Sequence, residues 1–232
     1  MLFIWKNHFD KYLMYQRNHK HFTNEMLEKL IRTQQKDIKV IDSFLKSKPL
    51  KVLDIGCGLG IYDLAIYDYF NRDNNLTFYL LDKTTSAAEE KNIHYGYRPV
   101  ASFYNNLDYT TELLNINGIP KNNIQCISVD NEIAPCNQPA LGGQGDLTLT
   151  TKKLAALSEV DLVISIISWG YHYPISTYLD VVYKILKSDG LLCLHCRDKD
   201  DLALLQTKFT ILYPDTSTKP IRLGSFIMCR KK

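Results

Sequence analysis

The sequence predicts an α/β domain, a sheet with helices packed on both faces and an N-terminal helical segment ahead of it. Three observations carry this. The apolar run 50–55 breaks into three alternating glycines and then into a stretch whose apolar residues recur at helical spacing. Four more short apolar runs, at 77–81, 123–129, 161–167 and 191–196, alternate with helix-like segments, as in a sheet built from strand–helix–strand crossovers. Two further runs, 209–213 and 225–229, read as a closing pair of strands.

The N-terminal part, 1–48, reads as a helical cap on a domain spanning 49–232. Asn7 to Gln16 is crowded with aromatics (Phe9, Tyr12, Tyr15), and a second helix starts after Thr23 and runs through Leu27, Ile31, Ile38 and Ile41 to Leu45. It stops at Ser47-Lys48-Pro49, because proline lacks an amide hydrogen and disfavours helix before it. The first strand then ends in Asp54-Ile55-Gly56-Cys57-Gly58-Leu59-Gly60, followed by a helix from Ile61 to Phe70. Alternating glycines permit backbone angles closed to other residues and let a ligand lie against the main chain. The second strand ends in Asp82, where a carboxylate can accept both ribose hydroxyls of a nucleoside.

Residues 83–106, rich in aromatic and polar side chains including Tyr104, make a connection long enough to serve as a substrate-facing lid. A helix over Asp108–Ile116 and a third strand over Asn123–Val129 lead to Asp130-Asn131-Glu132. A second insertion at 131–150 follows. The fourth strand, Asp161–Ile167, emerges into Ser168-Trp169-Gly170-Tyr171-His172-Tyr173-Pro174. The carboxyl ends of strands form the ligand crevice of open α/β sheets, so this stretch belongs to the site. Asp161, at the strand's beginning, belongs to the opposite edge. Ser176 begins the next helix, and Ser188-Asp189-Gly190 is a turn into the fifth strand. A short helix near Asp200–Leu205 precedes the closing pair.

The glycine spacing narrows the ligand. Dinucleotide enzymes use G-x-G-x-x-G, whereas here the third glycine comes one place early and Ile61 fills the expected position. An acid two residues before G-x-G-x-G resembles the first motif of the class I S-adenosylmethionine-dependent methyltransferases. The acid at Asp82 and the L-K-x-x-G turn before the fifth strand strengthen the resemblance, which covers roughly 50–230. It implies a Rossmann-like, seven-stranded mixed sheet whose last two strands are antiparallel. It implies S-adenosylmethionine as cofactor, held by Asp54, Gly56, Cys57, Gly58, Gly60 and Asp82. Asp130 and the Asn131 amide would sit at the adenine, with Ser165 at the end of the fourth strand beside them. By the same resemblance, Tyr15 and Arg17 of the cap would meet the methionine end.

Methyl transfer to a hydroxyl requires that a proton be removed, and histidine is suited to that near neutral pH. His172 is the expected base, with Tyr171, Tyr173 and Tyr104 orienting the acceptor and Trp169 forming an apolar wall. Ser168-Trp169-Gly170-Tyr171 lacks the paired prolines that enzymes methylating nucleobase or glutamine amino groups carry at this place, which turns the reading away from those acceptors. The expected acceptor is a small sugar or other polyhydroxyl metabolite. N-methylation of a small amine or peptide, aminopropyl transfer, and a cofactor-binding interaction protein stand as alternatives.

Composition sets outer limits. Of 232 residues, 45% are hydrophobic, enough for a large core, and the net charge of +3 is scattered rather than gathered into a nucleic-acid-binding stripe. No apolar run approaches a membrane span, and no signal-like leader is expected from Met1-Leu2-Phe3-Ile4-Trp5, which stops at Lys6. The six cysteines read as reduced thiols of a cytoplasmic protein. Cys193 and Cys196, three apart on one strand, point to opposite faces and make no metal pair. No metal is expected.

Overall fold

The computed structural model describes residues 3–12, 22–82, 106–129, 148–171, 174–215 and 221–232. Tyr15, Arg17, Tyr104, Asp130, Asn131, Glu132, His172 and Tyr173 lie outside the described residues.

Seven strands form one sheet in the order β3-β2-β1-β4-β5-β7-β6. Strands β1 (Lys51–Ile55), β2 (Thr77–Asp82), β3 (Ile124–Ser128), β4 (Val160–Ser165) and β5 (Leu186–Cys196) run parallel. Strand β7 (Ser225–Lys231) lies antiparallel between β5 and β6 (Phe209–Tyr213). The order reverses between β1 and β4, and the crevice of an open parallel sheet sits at such a switch.

Alternation along the strands assigns the faces. Val52, Phe78, Leu80, Ile164 and Cys193 pack beneath helices α1 (Asn24–Asp42), α2 (Ile61–Tyr69) and α3 (Leu107–Ile116). Leu53, Ile55, Val163, Leu194 and Cys196 pack on the other side with α4 (Thr148–Ala155), α5 (Leu179–Ile185) and α6 (Lys199–Lys208). Cys193 and Cys196 thus belong to different layers.

Local chemistry fixes the helix starts. The Thr23 hydroxyl accepts from the Met26 amide, Asn106 caps α3 through the Asp108 amide, and the Asp198 carboxylate accepts from Asp200 and Asp201. Leu27, Ile31, Ile38 and Ile41 bury the inner stripe of α1 in the same layer as α2. Residues 3–9 climb the outside of α3. The Ile4 amide donates to Asn117 Oδ1 (2.7 Å) and its carbonyl accepts from Asn117 Nδ2 (2.9 Å). Lys6 and His8 both reach Glu112, and the His8 ring lies 5.2 Å from that of Tyr109.

Three expectations about elements need correction. The aromatic stretch expected to be helical over Asn7–Gln16 forms, among the described residues, a 3-10 helix over Asn7–Tyr12. Strand β4 ends at Ser165, because Ile167 turns into the left-handed region (φ 56°). Ser188-Asp189-Gly190 does not precede the fifth strand but lies within it. Between Val160 and Leu162 on β4, the partner on β5 jumps from Leu186 to Leu191. A Cβ at Gly190 would lie 2.9 Å from the Asp161 carbonyl, so the excursion folds onto β4 instead of leaving the sheet.

At the sheet's other edge Asp161 accepts from the Leu50 and Lys51 amides (2.9 and 2.8 Å) and from Lys187 Nζ (2.6 Å). It staples the amino ends of β1, β4 and β5, far from the crevice.

Candidate cofactor and acceptor crevice

The turn after β1 is held from three sides. Leu81 O accepts from the Gly56 amide (2.7 Å) and the Cys57 amide (3.3 Å), tying the turn to β2. Asp82 Oδ2 accepts from the Gly58 amide (2.7 Å), and Thr110 Oγ1 donates to the Gly58 carbonyl (2.8 Å). The Gly58 peptide is therefore clamped between the end of β2 and the first turns of α3.

Two glycines serve opposite ends. Gly56 (φ +80°) is pressed against the loop after β4, where a Cβ would fall 1.8 Å from Ser168 Oγ. Gly58 (φ +55°) faces open space, with no described atom within 4 Å of a Cβ. Gly56 lets the β1 and β4 loops meet, and Gly58 presents bare main chain beside the half-buried Asp82.

Under this turn lies a carboxyl pair. Asp54 on β1 (3% exposed) and Asp63 in the first turn of α2 (0%) come within hydrogen-bonding reach of each other. Burial raises both well out of the ordinary carboxylate range, and the like charges of Asp63 and then Asp82 push Asp54 further. Burial also raises the Cys57 thiol, with Asp82, Asp54 and Asp63 adding to it. The turn is underlain by acidic groups, with no cation among those named.

The loop after β4 is built from apolar packing. Ile167 is β-branched in the left-handed region, a conformation that costs on the order of 1–3 kcal/mol and persists only where the surroundings impose it. The Ser165 hydroxyl donates to Ile55 O and accepts from the Trp169 amide, both at 2.8 Å, so it couples β1 to this loop. The Trp169 indole is wholly buried, donates to Ile175 O (3.0 Å) and meets Tyr178 edge-on. Gly170 (φ +81°) is wedged against Leu194, Ile175 and the His195 carbonyl. Beyond it the half-buried Tyr171 ring meets His195 edge-on at 6.5 Å and lies under the Arg197 guanidinium at 5.4 Å.

Several of the residues expected at the cofactor and acceptor are turned into the protein. The Trp169 indole has no exposed surface and supports the loop from below. The Ser165 hydroxyl is buried, with both its partners inside the protein. The Cys57 thiol turns inward and donates to Gly58 O (3.5 Å), and its amide is spent on β2. Asp54 faces Asp63, not the open side. Gly60 is buried at the start of α2. Gly56, Gly58, Asp82 and Tyr171 are brought to the crevice. Asp63 and His195 were missed. An acid in a helix's first turn reads as ordinary dipole chemistry, yet α2 is apolar nearly all round, which marks a buried helix and with it a buried acid.

No protein-family model and no curated protein matches the chain. Among solved structures it is similar to a Staphylococcus aureus protein classed as a caffeoyl-CoA O-methyltransferase. The identity is 12% and the TM-score 0.54, over 96% of this chain and 99% of that one. It is also similar to a Nostoc punctiforme protein classed as an O-methyltransferase, at 12% identity and a TM-score of 0.51 over 87% of this chain. The chain spans 56% of the Nostoc protein's length.

The fold is that of the class I methyltransferases. In this methyltransferase fold the glycine turn and Asp82 stand together at the switch between β1 and β4. A bare glycine backbone beside the Asp82 carboxylate fits a cationic nucleoside such as S-adenosylmethionine. Among the described residues no group of three or more metal-ligating side chains occurs, and no helix is long and apolar enough to cross a membrane.

Proposed function

We propose that this protein is an S-adenosylmethionine-dependent methyltransferase acting on a small hydroxyl-bearing acceptor, a sugar or other polyhydroxyl metabolite, in the cytoplasm. The observation that supports it most is the convergence of Asp82 on Gly58: a strand-end carboxylate 2.7 Å from the amide of a glycine whose Cβ position meets no described atom within 4 Å. Asp82 accepts the ribose hydroxyls, Gly58 lets the ligand lie on main chain while Gly56 lets the β4 loop close up beside it, and Asp130 with the Asn131 amide takes the adenine edge. Bound S-adenosylmethionine supplies an activated methyl group. The protein's own work is alignment and proton removal. Tyr171, Tyr173 and Tyr104 orient the acceptor, and an imidazole nitrogen of His172 takes its hydroxyl proton.

Incubation with methyl-labelled S-adenosylmethionine and fractionated metabolite pools is expected to yield a labelled polyhydroxyl product and one S-adenosylhomocysteine per methyl transferred. Tight cofactor binding without a labelled product in any pool would overturn the enzymatic reading. His172→Ala should lower turnover by ~100-fold or more with cofactor affinity retained. Near-normal turnover would assign proton removal to another group.

A further inference from the structure

The Asp54–Asp63 pair is not needed to shape the turn, which the Leu81 carbonyl, Asp82 and Thr110 already hold. It is also costly. Asp54 Oδ1 and both oxygens of Asp63 are buried with no hydrogen-bond donor among the described residues. Across the sheet Asp54 is flanked by Leu80 and Ile164, both wholly buried. Among the described residues, the titratable groups that face the pair are Asp82 from β2, Cys57 from the turn, Tyr62 from α2 and Cys126 from β3, and none of these is a cation. Two ionised carboxylates in such surroundings repel, and a buried acceptor without a donor is destabilising. One proton lying between them supplies the missing donor and removes one of the two charges.

We propose that Asp54 and Asp63 hold a single proton between them, and that a cationic ligand docking on the glycine turn above drives this proton into solvent, coupling ligand binding to proton release. Asp54 keeps a sliver of exposure while Asp63 has none, so Asp54 is the member through which the proton leaves. Asp63 is a positioning residue. It touches no ligand and acts through Asp54. The inference rests on the proposed cofactor for the identity of the cation, and on the orphaned oxygens for the proton.

The direction follows from linkage. The free protein carries one proton more than the complex, so affinity rises with pH, approaching tenfold per unit while the pair is protonated, and levels off once it has ionised. Two measurements test this on the full chain. Infrared spectra of the ligand-free protein at neutral pH should contain the carbonyl band of a protonated carboxyl that fades as pH is raised. Its absence overturns the inference whether or not the cofactor binds. Calorimetric titration with S-adenosylmethionine in buffers of different ionisation enthalpy should show close to one proton released. Equal heats in every buffer, with binding intact, overturn the coupling and leave the cofactor assignment standing. No binding at any pH overturns the cofactor assignment and the coupling with it. In Asp63→Asn, whose amide gives Asp54 a permanent donor, proton release and the pH dependence of affinity should both disappear. The infrared measurement on unaltered protein needs no variant to fold.

Discussion

Beneath the glycine turn lie Asp54 and Asp63, with Asp82 at its side. Beneath the loop after β4 lie Trp169, Tyr178, Ile175 and Leu194. The first half of the crevice floor is held by charge and hydrogen bonds, the second by shape. Ser165 joins them, bonded to β1 on one side and to the Trp169 amide on the other. The difference teaches which half can respond to its surroundings. A charged floor answers to protons and to cations laid on it, while a packed floor answers chiefly to changes of volume.

The largest effect expected from breaking this comparison is on the packed side. Trp169→Ala should cost about 3–5 kcal/mol by emptying a fully buried site and orphaning the Ile175 carbonyl, read by urea denaturation. A loss below about 1 kcal/mol would mean that the loop is not carried by the indole. Next comes the charged side. Asp82→Ala should weaken S-adenosylmethionine binding by roughly 10–100-fold in calorimetry, the worth of hydrogen bonds to a charged acceptor, and unchanged affinity would remove Asp82 from the ribose.

The smallest effect sharpens the contrast by pH. The raised carboxyl pair contributes stability that is present in acid and lost as pH rises through its titration. His195 has the opposite sign. Its Nδ1 is buried without a partner among the described residues, and burial lowers its affinity for protons. Its contribution is therefore present above the ordinary histidine range and lost as pH falls from near 6.5 toward the lowered value. His195→Gln should flatten the loss of stability on mild acidification, measured by denaturation at about pH 5 and about pH 7.5. An unaltered slope would show that the imidazole is not the group titrating there.

The fold was legible wherever periodicity and punctuation agreed. Five apolar runs at strand length, the glycine turn and Asp82 place β1 to β5 and the crevice in sequence alone. What escaped was decided in three dimensions. Gly190 signals a turn, yet its close approach to Asp161 keeps the chain in the sheet. Trp169 follows a strand end, where an aromatic reads as lining a pocket, but Tyr178 and Ile175 come from later in the chain to cover it. Asp63 looks like any first-turn acid until β1 sets Asp54 against it. His195 falls between Cys193 and Cys196 in an apolar run, and nothing there shows that β7 brings Phe226 against its ring, 5.7 Å away.

Helix α3 is gripped at both flanks. Thr110 holds the Gly58 carbonyl on its inner side, while residues 4–8 are fastened to Asn117, Glu112 and Tyr109 on its outer side. The helix is in effect a lever with residues 4–8 at one arm and the glycine turn at the other. Anything that shifts how residues 4–8 sit, whether a fused tag, proteolytic trimming or a partner lying across them, would be felt as a change in the pitch of Gly58.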